Sequence, residues 1–148
     1  MARIKLTVPE HCLYSASIPV RIADINYGNH LGNDSFVSII HEARMQWLKQ
    51  YQYTELDIEG TGLILADLVV EFKAEGFYGD IINVKLHTGE ITKVSFEIYY
   101  TLSACRNNIN TILAYAKTGM VCYNYDAKKV AVMHERLKQL LSGQTEDI

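Results

Sequence analysis

Asp24-Ile-Asn-Tyr-Gly-Asn-His30-Leu-Gly-Asn33-Asp-Ser-Phe36 is the stretch on which the reading of this chain turns. Between Ile25 and Asp34 it holds two glycines and three asparagines in ten residues. Gly and Asn supply the turn and left-handed backbone angles that regular elements avoid, so this segment predicts an irregular loop. Asn33 or Asp34 is a good helix N-cap. From Ser35 the pattern becomes helical: Phe36, Ile39, Ile40, Ala43, Trp47 and Tyr51 recur at the spacings of one helix face, with Val37 and Leu48 widening it. A helix this apolar is expected to be embraced by other structure and to end near Tyr51 to Tyr53.

On the N-terminal side, Val20 and Ile22 alternate with Arg21 and Ala23, which predicts a strand over about Ser15 to Asp24. On the C-terminal side, Gly60-Thr61-Gly62 is followed by four strand-like runs: Leu63 to Ala74, Asp80 to Leu86, Val94 to Ser103 and Ile109 to Tyr125. In the third, Phe96, Ile98, Tyr100 and Leu102 point one way, and Glu97, Tyr99 and Thr101 the other. Gly79-Asp80 and His87-Thr88-Gly89-Glu90 read as hairpin turns. A short amphipathic helix over about Val132 to Leu141 precedes a polar tail, Ser142 to Ile148. Hairpin-linked strands with one long helix predict an α+β fold, an antiparallel sheet packed on a helix.

The chain has 148 residues, 49% of them hydrophobic and 21% charged, with a net charge of −3. That is the make-up of one globular domain, spanning 1–148, and not of a disordered chain. With a pI near 5.9, no broad nucleic-acid-binding surface is expected. No window approaches the ~18 apolar residues of a membrane span, and the start of the chain lacks a signal-like apolar run. The three cysteines, Cys12, Cys105 and Cys122, have no CxxC spacing, so they read as reduced, mostly buried thiols. A cytoplasmic protein is the expectation. Other motifs fail on their partners. Gly60-Thr61-Gly62 precedes a strand, not a helix. His41-Glu42-Ala43-Arg44 has Met45 where a zinc-protease helix needs its second histidine. His11 and His30 lack ligand-spaced partners, so no metal site is expected.

What remains is a polar loop running into an apolar helix. A helix N-terminus aims unpaired N–H groups and partial positive charge at whatever stands before it, which suits an oxyanion. Asp24, His30, Asp34 and Glu42 lie within twenty residues as candidate bases or nucleophiles.

These residues carry a resemblance. The stretch Asp24 to Phe36, followed by His-Glu42-Ala-Arg44, resembles the hotdog-fold acyl thioesterases of the 4-hydroxybenzoyl-CoA thioesterase type. That family shows Asp-x-Asp, then glycine, histidine and asparagine, an aromatic, and Glu-x-Ala-Arg or Glu-Ala-Arg on the helix. The match is gapless from Asp24 to Arg44, and Gly79-Asp80 falls at a turn where the family often carries the same pair. The resemblance implies a hotdog fold, an antiparallel sheet wrapped around a long central helix. It also implies hydrolysis of an acyl-CoA thioester to free acid and CoA, at a site completed by a second copy in a dimer or tetramer. No cofactor is implied, since CoA is part of the substrate. Asp24, Asn26, His30 and Glu42 become the catalytic candidates, and Asn33, Asp34 and Phe36 the substrate contacts. One departure matters: Asn26 stands where the family's catalytic aspartate is usual, and an amide neither takes a proton nor attacks as a carboxylate. Three readings follow: Glu42 serves, or Asp24 serves, or the protein binds acyl thioesters without hydrolysing them. Lys73, Lys85, Lys93, Arg106 and Lys117 are the cations available to CoA phosphates.

Overall fold

The computed structural model describes residues 2–143. In chain order the elements are β1 (Cys12–Pro19), α1 (Asn33–Lys49), β2 (Gly62–Phe72), β3 (Ile81–Ile91), β4 (Ser95–Arg106), β5 (Ile109–Asn124), β6 (Lys129–Val130) and α2 (Glu135–Leu141). The strands form one antiparallel sheet in the order β1-β3-β4-β5-β2, with β6 added to β5. The period-two pattern places Ile82, Val84 and Leu86 of β3, Phe96, Ile98 and Leu102 of β4, and Ala114, Ala116 and Met120 of β5 on one face, all buried. Phe36, Ile39, Ile40, Ala43 and Trp47 of α1 pack into that face, and each is at most 4% exposed. Burying each large side chain of this kind contributes about 1.5–3 kcal/mol, so the sheet and the helix are one core. This is the hotdog arrangement that the resemblance implies.

The opposite face of the sheet is crossed by the N-terminal segment. The Leu6 N–H donates to Glu71 Oε1 on β2 (2.9 Å), and Cys12 at the start of β1 pairs with His87. From β2 to β1 is four strand spacings, about 19 Å. Six extended residues reach about 20 Å, enough to span that distance.

Several boundaries differ from the expectations. β1 stops at Pro19, and Ile22–Asp24 is a 3-10 turn rather than strand. The cause is local: the Arg21 N–H donates to Asp24 Oδ2 (2.8 Å), curling the chain back on itself. The helix begins at Asn33 with Gly32 as N-cap, in place of Asn33 or Asp34, and ends at Lys49. His87-Thr88-Gly89-Glu90 is not a hairpin turn. β3 runs through it to Ile91 with a bulge between Thr88 and Ile91, and the reversal comes at Thr92 to Ser95, where Thr92 and Ser95 hydrogen-bond each other. Val37 is exposed and does not widen the buried stripe. Cys12 and Cys105 are exposed, and only Cys122 is buried. The last helix is shorter than expected, and most of the polar tail, from residue 144, lies outside the described residues.

Candidate active site

The loop from Asp24 to Gly32 closes on itself. Ile25 and Leu31 form an antiparallel bridge, the Asn26 N–H donates to the His30 carbonyl (2.9 Å), and the Gly32 N–H donates to the Asp24 carbonyl (3.0 Å). Asn26 Oδ1 accepts from the Gly28 N–H (2.8 Å), a side-chain turn of the kind Asn favours. Asn29 takes a left-handed backbone, with φ 65°. At Gly28 a Cβ would lie 3.1 Å from His30 Nε2 and 3.3 Å from Asn26 Oδ1. The histidine and the amide therefore converge on a position where only glycine fits without a shift.

This closed loop delivers α1 end-on. The Phe36 N–H donates to the Gly32 carbonyl (3.1 Å), and no described side chain caps the helix. The N–H groups of Asn33, Asp34 and Ser35 bond to no described acceptor, which leaves them aimed outward with the positive end of a 17-residue helix behind them. Beside them is a cleft of about 250 Å³ lined by His30, Asn33, Phe36, Phe72, Lys73 and Glu75, among others. Phe36 and Phe72 meet edge-to-face across it at 5.2 Å.

A third segment fixes the loop from outside. The Leu31 N–H donates to the Gly76 carbonyl (2.7 Å), and the Val20 N–H donates to the Asp80 carbonyl (2.9 Å). The turn between β2 and β3 is itself clamped by Arg106. Its Nε and Nη2 donate to the two oxygens of Asp80 (3.1 and 2.5 Å), Nη2 also donates to the Glu75 carbonyl (2.8 Å), and the guanidinium lies 5.0 Å from the centre of the Phe77 ring. These hydrogen bonds, and then the one from the Phe77 N–H, hold the Asp80 carboxyl below its usual range. The same turn carries Glu75, whose carboxylate stands 3.8 Å from His30 Nε2.

The predicted residues fall into two groups. His30, Asn33 and Phe36 meet in the cleft at the helix start. Asp34 stands in the first turn, its carboxylate folded over Gly32. Asp24 and Glu42 share a different cleft, about 280 Å³, on the flank of α1 that faces β1. There Asp24 is buried and turned onto Arg21 rather than extended alongside Asn26. Glu42 is exposed and hydrogen-bonds to no described side chain. Arg44, its neighbour in sequence, is buried and paired with Glu55 at 2.8 Å. Glu75 and Gly76 carry no sequence signal because their partners His30 and Leu31 lie 45 residues away, and Arg106, expected only as a cation available to CoA, is instead engaged by Asp80, 26 residues away. The one available signal was Gly79-Asp80 at the turn.

A curved antiparallel sheet wrapped on one long helix, with a closed polar loop presenting that helix's free N-terminus, defines a hotdog domain of the thioesterase class. The chain belongs to the thioesterase-like superfamily, whose family profile matches residues 20–141. Among solved structures it is similar to a 1,4-dihydroxy-2-naphthoyl-CoA thioesterase from Synechocystis, with 22% identity and a TM-score of 0.78 over 87% of this chain and 95% of that one. A DHNA-CoA thioesterase from Staphylococcus aureus aligns at 16% identity and TM-score 0.76, covering 88% of this chain and 89% of that one. A further S. aureus protein, solved in complex with CoA, aligns at 13% identity and TM-score 0.78, covering 94% and 87%. At these identities the likeness is one of fold. Comparison with curated proteins finds no match.

Proposed function

We propose that the chain is an acyl-CoA thioesterase whose reaction takes place at the N-terminus of α1. The observation that carries this is the uncapped first turn, whose free N–H groups stand beside a cleft lined by Asn33 and by a histidine, His30. The thioester carbonyl oxygen lies against the N–H groups of Asn33 to Ser35. His30 takes a proton from water as the water oxygen bonds to the carbonyl carbon, and Glu75 holds the charged imidazole. The tetrahedral oxyanion is stabilised by the helix start. The C–S bond then breaks, and the leaving thiolate takes the proton back from His30, giving free acid and CoA. Asn26 shapes the loop. This assigns the base to His30, since Asp24 and Glu42 stand on the other flank of the helix. The CoA-bound S. aureus relative and the thioesterase neighbours support the substrate class.

A second copy completes the cleft. Among the described residues β2 is paired on one side only, with β5, and its open edge carries Ile64, Leu65 and Phe72, which are 36–44% exposed. A long apolar edge is a pairing surface, and a dimer joined there roofs the cleft beside β2.

The test is thiol release from a panel of acyl-CoA esters. Wild type turns over, and His30→Ala loses about 10²–10⁴-fold, the usual worth of a general base. Undiminished rates in His30→Ala would refute this assignment, and a larger loss in Glu42→Ala would move the base there. The amide at Asn26 favours one other reading, a module that binds thioesters without hydrolysing them. A silent wild type that gains turnover with Asn26→Asp would establish it.

A further inference from the structure

The groove between α1 and β2 has a charged floor that hydrolysis does not use. Asn33, Val37, Ile40 and Arg44 follow at spacings of three and four, so they run in one line down the flank of the helix that faces β2. At its upper end this line meets the cleft with His30. Lower down it enters a second cleft of about 400 Å³, walled by Val37, Ile40, Leu63, Leu65 and Leu68.

The floor of that cleft is polar. Arg44 lines it although only 5% of the residue is exposed. Its Nε donates to Glu55 Oε2 (2.8 Å) and its Nη1 to the Tyr100 hydroxyl (3.2 Å). That hydroxyl lies 2.7 Å from Thr118 Oγ1, and the other Glu55 oxygen lies 2.6 Å from His41 Nε2. A guanidinium has five N–H donors. The Nη2 pair hydrogen-bonds to none of the described residues, yet it is not among the side-chain atoms sealed from solvent. In a residue so buried, access to Nη2 comes through the cleft that Arg44 lines.

We propose that this second cleft seats the far end of the acyl group, and that Arg44 Nη2 donates to an oxygen carried there, of a hydroxyl, keto or carboxylate group. The inference rests on the thioesterase reading above and names its substrate class. A plain methyl end drives water from Nη2 and leaves its N–H groups unpaired, whereas an oxygen replaces the water. Sites built to hydrogen-bond a substrate group reject analogues lacking it far more strongly than apolar pockets reject a missing methylene. Length follows from the helix. Arg44 stands ten residues beyond Asp34, about 15 Å along the axis. Its side chain leans back toward the N-terminus, so the acyl group spans roughly 10–12 Å.

The test uses the full chain and three unhydrolysable CoA thioethers, bearing decyl, 10-hydroxydecyl and 9-carboxynonyl arms, with affinities measured by calorimetry. The expected result is that at least one oxygen-bearing arm binds 10-fold or more tighter than decyl (~10-fold as a floor), and that Arg44→Gln abolishes the preference. The better of the two oxygen-bearing arms identifies the group as neutral or anionic. Equal affinities, a preference for decyl, or a preference that survives in folded Arg44→Gln overturns the inference and leaves the thioesterase reading standing. Binding of none of the three overturns both. Where Arg44→Gln does not fold, the wild-type ranking alone decides.

Discussion

Replacing Asp80 with Asn tests the clamp that holds the site loop. The Asp80 side chain is 11% exposed and that of Arg106 29%. Its carboxylate accepts two hydrogen bonds from Arg106 and one from the Phe77 N–H. Hydrogen bonds to charged groups contribute about 1.5–3 kcal/mol. Partial exposure reduces this pair to roughly 1–2 kcal/mol. In a chain of this size each kcal/mol moves Tm by about 2–4 °C, so Asp80→Asn lowers Tm by roughly 2–8 °C at pH 7. The sign with pH follows from linkage. The folded Asp80 carboxyl titrates below its unfolded value of about 3.9. Its contribution is fully present above that value and is lost as pH falls through the folded one. Calorimetric scans of wild type and Asp80→Asn from pH 7 to pH 3 are therefore expected to converge. A gap that stays constant over that range, or widens on acidification, refutes the ion-pair account and leaves only the shape of the side chain.

The thiols differ in the folded state. Cys12 and Cys105 are exposed, while burial pushes the Cys122 thiol up to about 11, so a neutral-pH thiol reagent modifies two sites quickly and the third only on unfolding. Mass analysis that finds Cys122 modified in native protein contradicts the packing described. At the open edge, Leu65→Lys places two charges at the proposed β2–β2 junction. In the proposed dimer it is expected to shift the sedimentation velocity toward the monomer, and an unchanged profile would refute pairing along β2.

Much of the fold is legible in the sequence because its determinants are periodic and local. The stripe from Phe36 to Trp47 identifies the helix, and the alternation in β4 orients the sheet. Errors arise where one local contact outweighs periodicity. Val20 and Ile22 alternate as a strand would, but Pro19 and the Asp24 bond to Arg21 impose a turn. Gly89 imitates a hairpin and instead makes a bulge. Val37 counts as core by spacing, yet it faces the groove beside β2. The site is half legible. The loop and the helix start declare themselves through composition, and His30 and Asn33 do meet. Glu75, Gly76 and Arg106 leave no local mark, since their roles come from contacts between distant segments. Asp24 and Glu42 lie close in sequence to His30 but on the far side of the helix, a separation that only the three-dimensional path of the loop creates.

The strand order also carries a consequence for how the chain assembles. Along β3, β4 and β5 the partners are close in sequence, as in Cys105 with Asn110 and Val84 with Leu102. β1 and β2 join from afar: Ser15 meets Lys85, and Leu68 meets Thr118. Loop closure penalises distant pairings and slows their formation. The central meander is thus the natural nucleus, and β1 and β2 dock late. β2 is also the strand along which a second copy is proposed to pair, so in that proposal folding and association converge on one strand. In a dilute or crowded refolding mixture, the last element to close decides between a partner of the same kind and an aggregate.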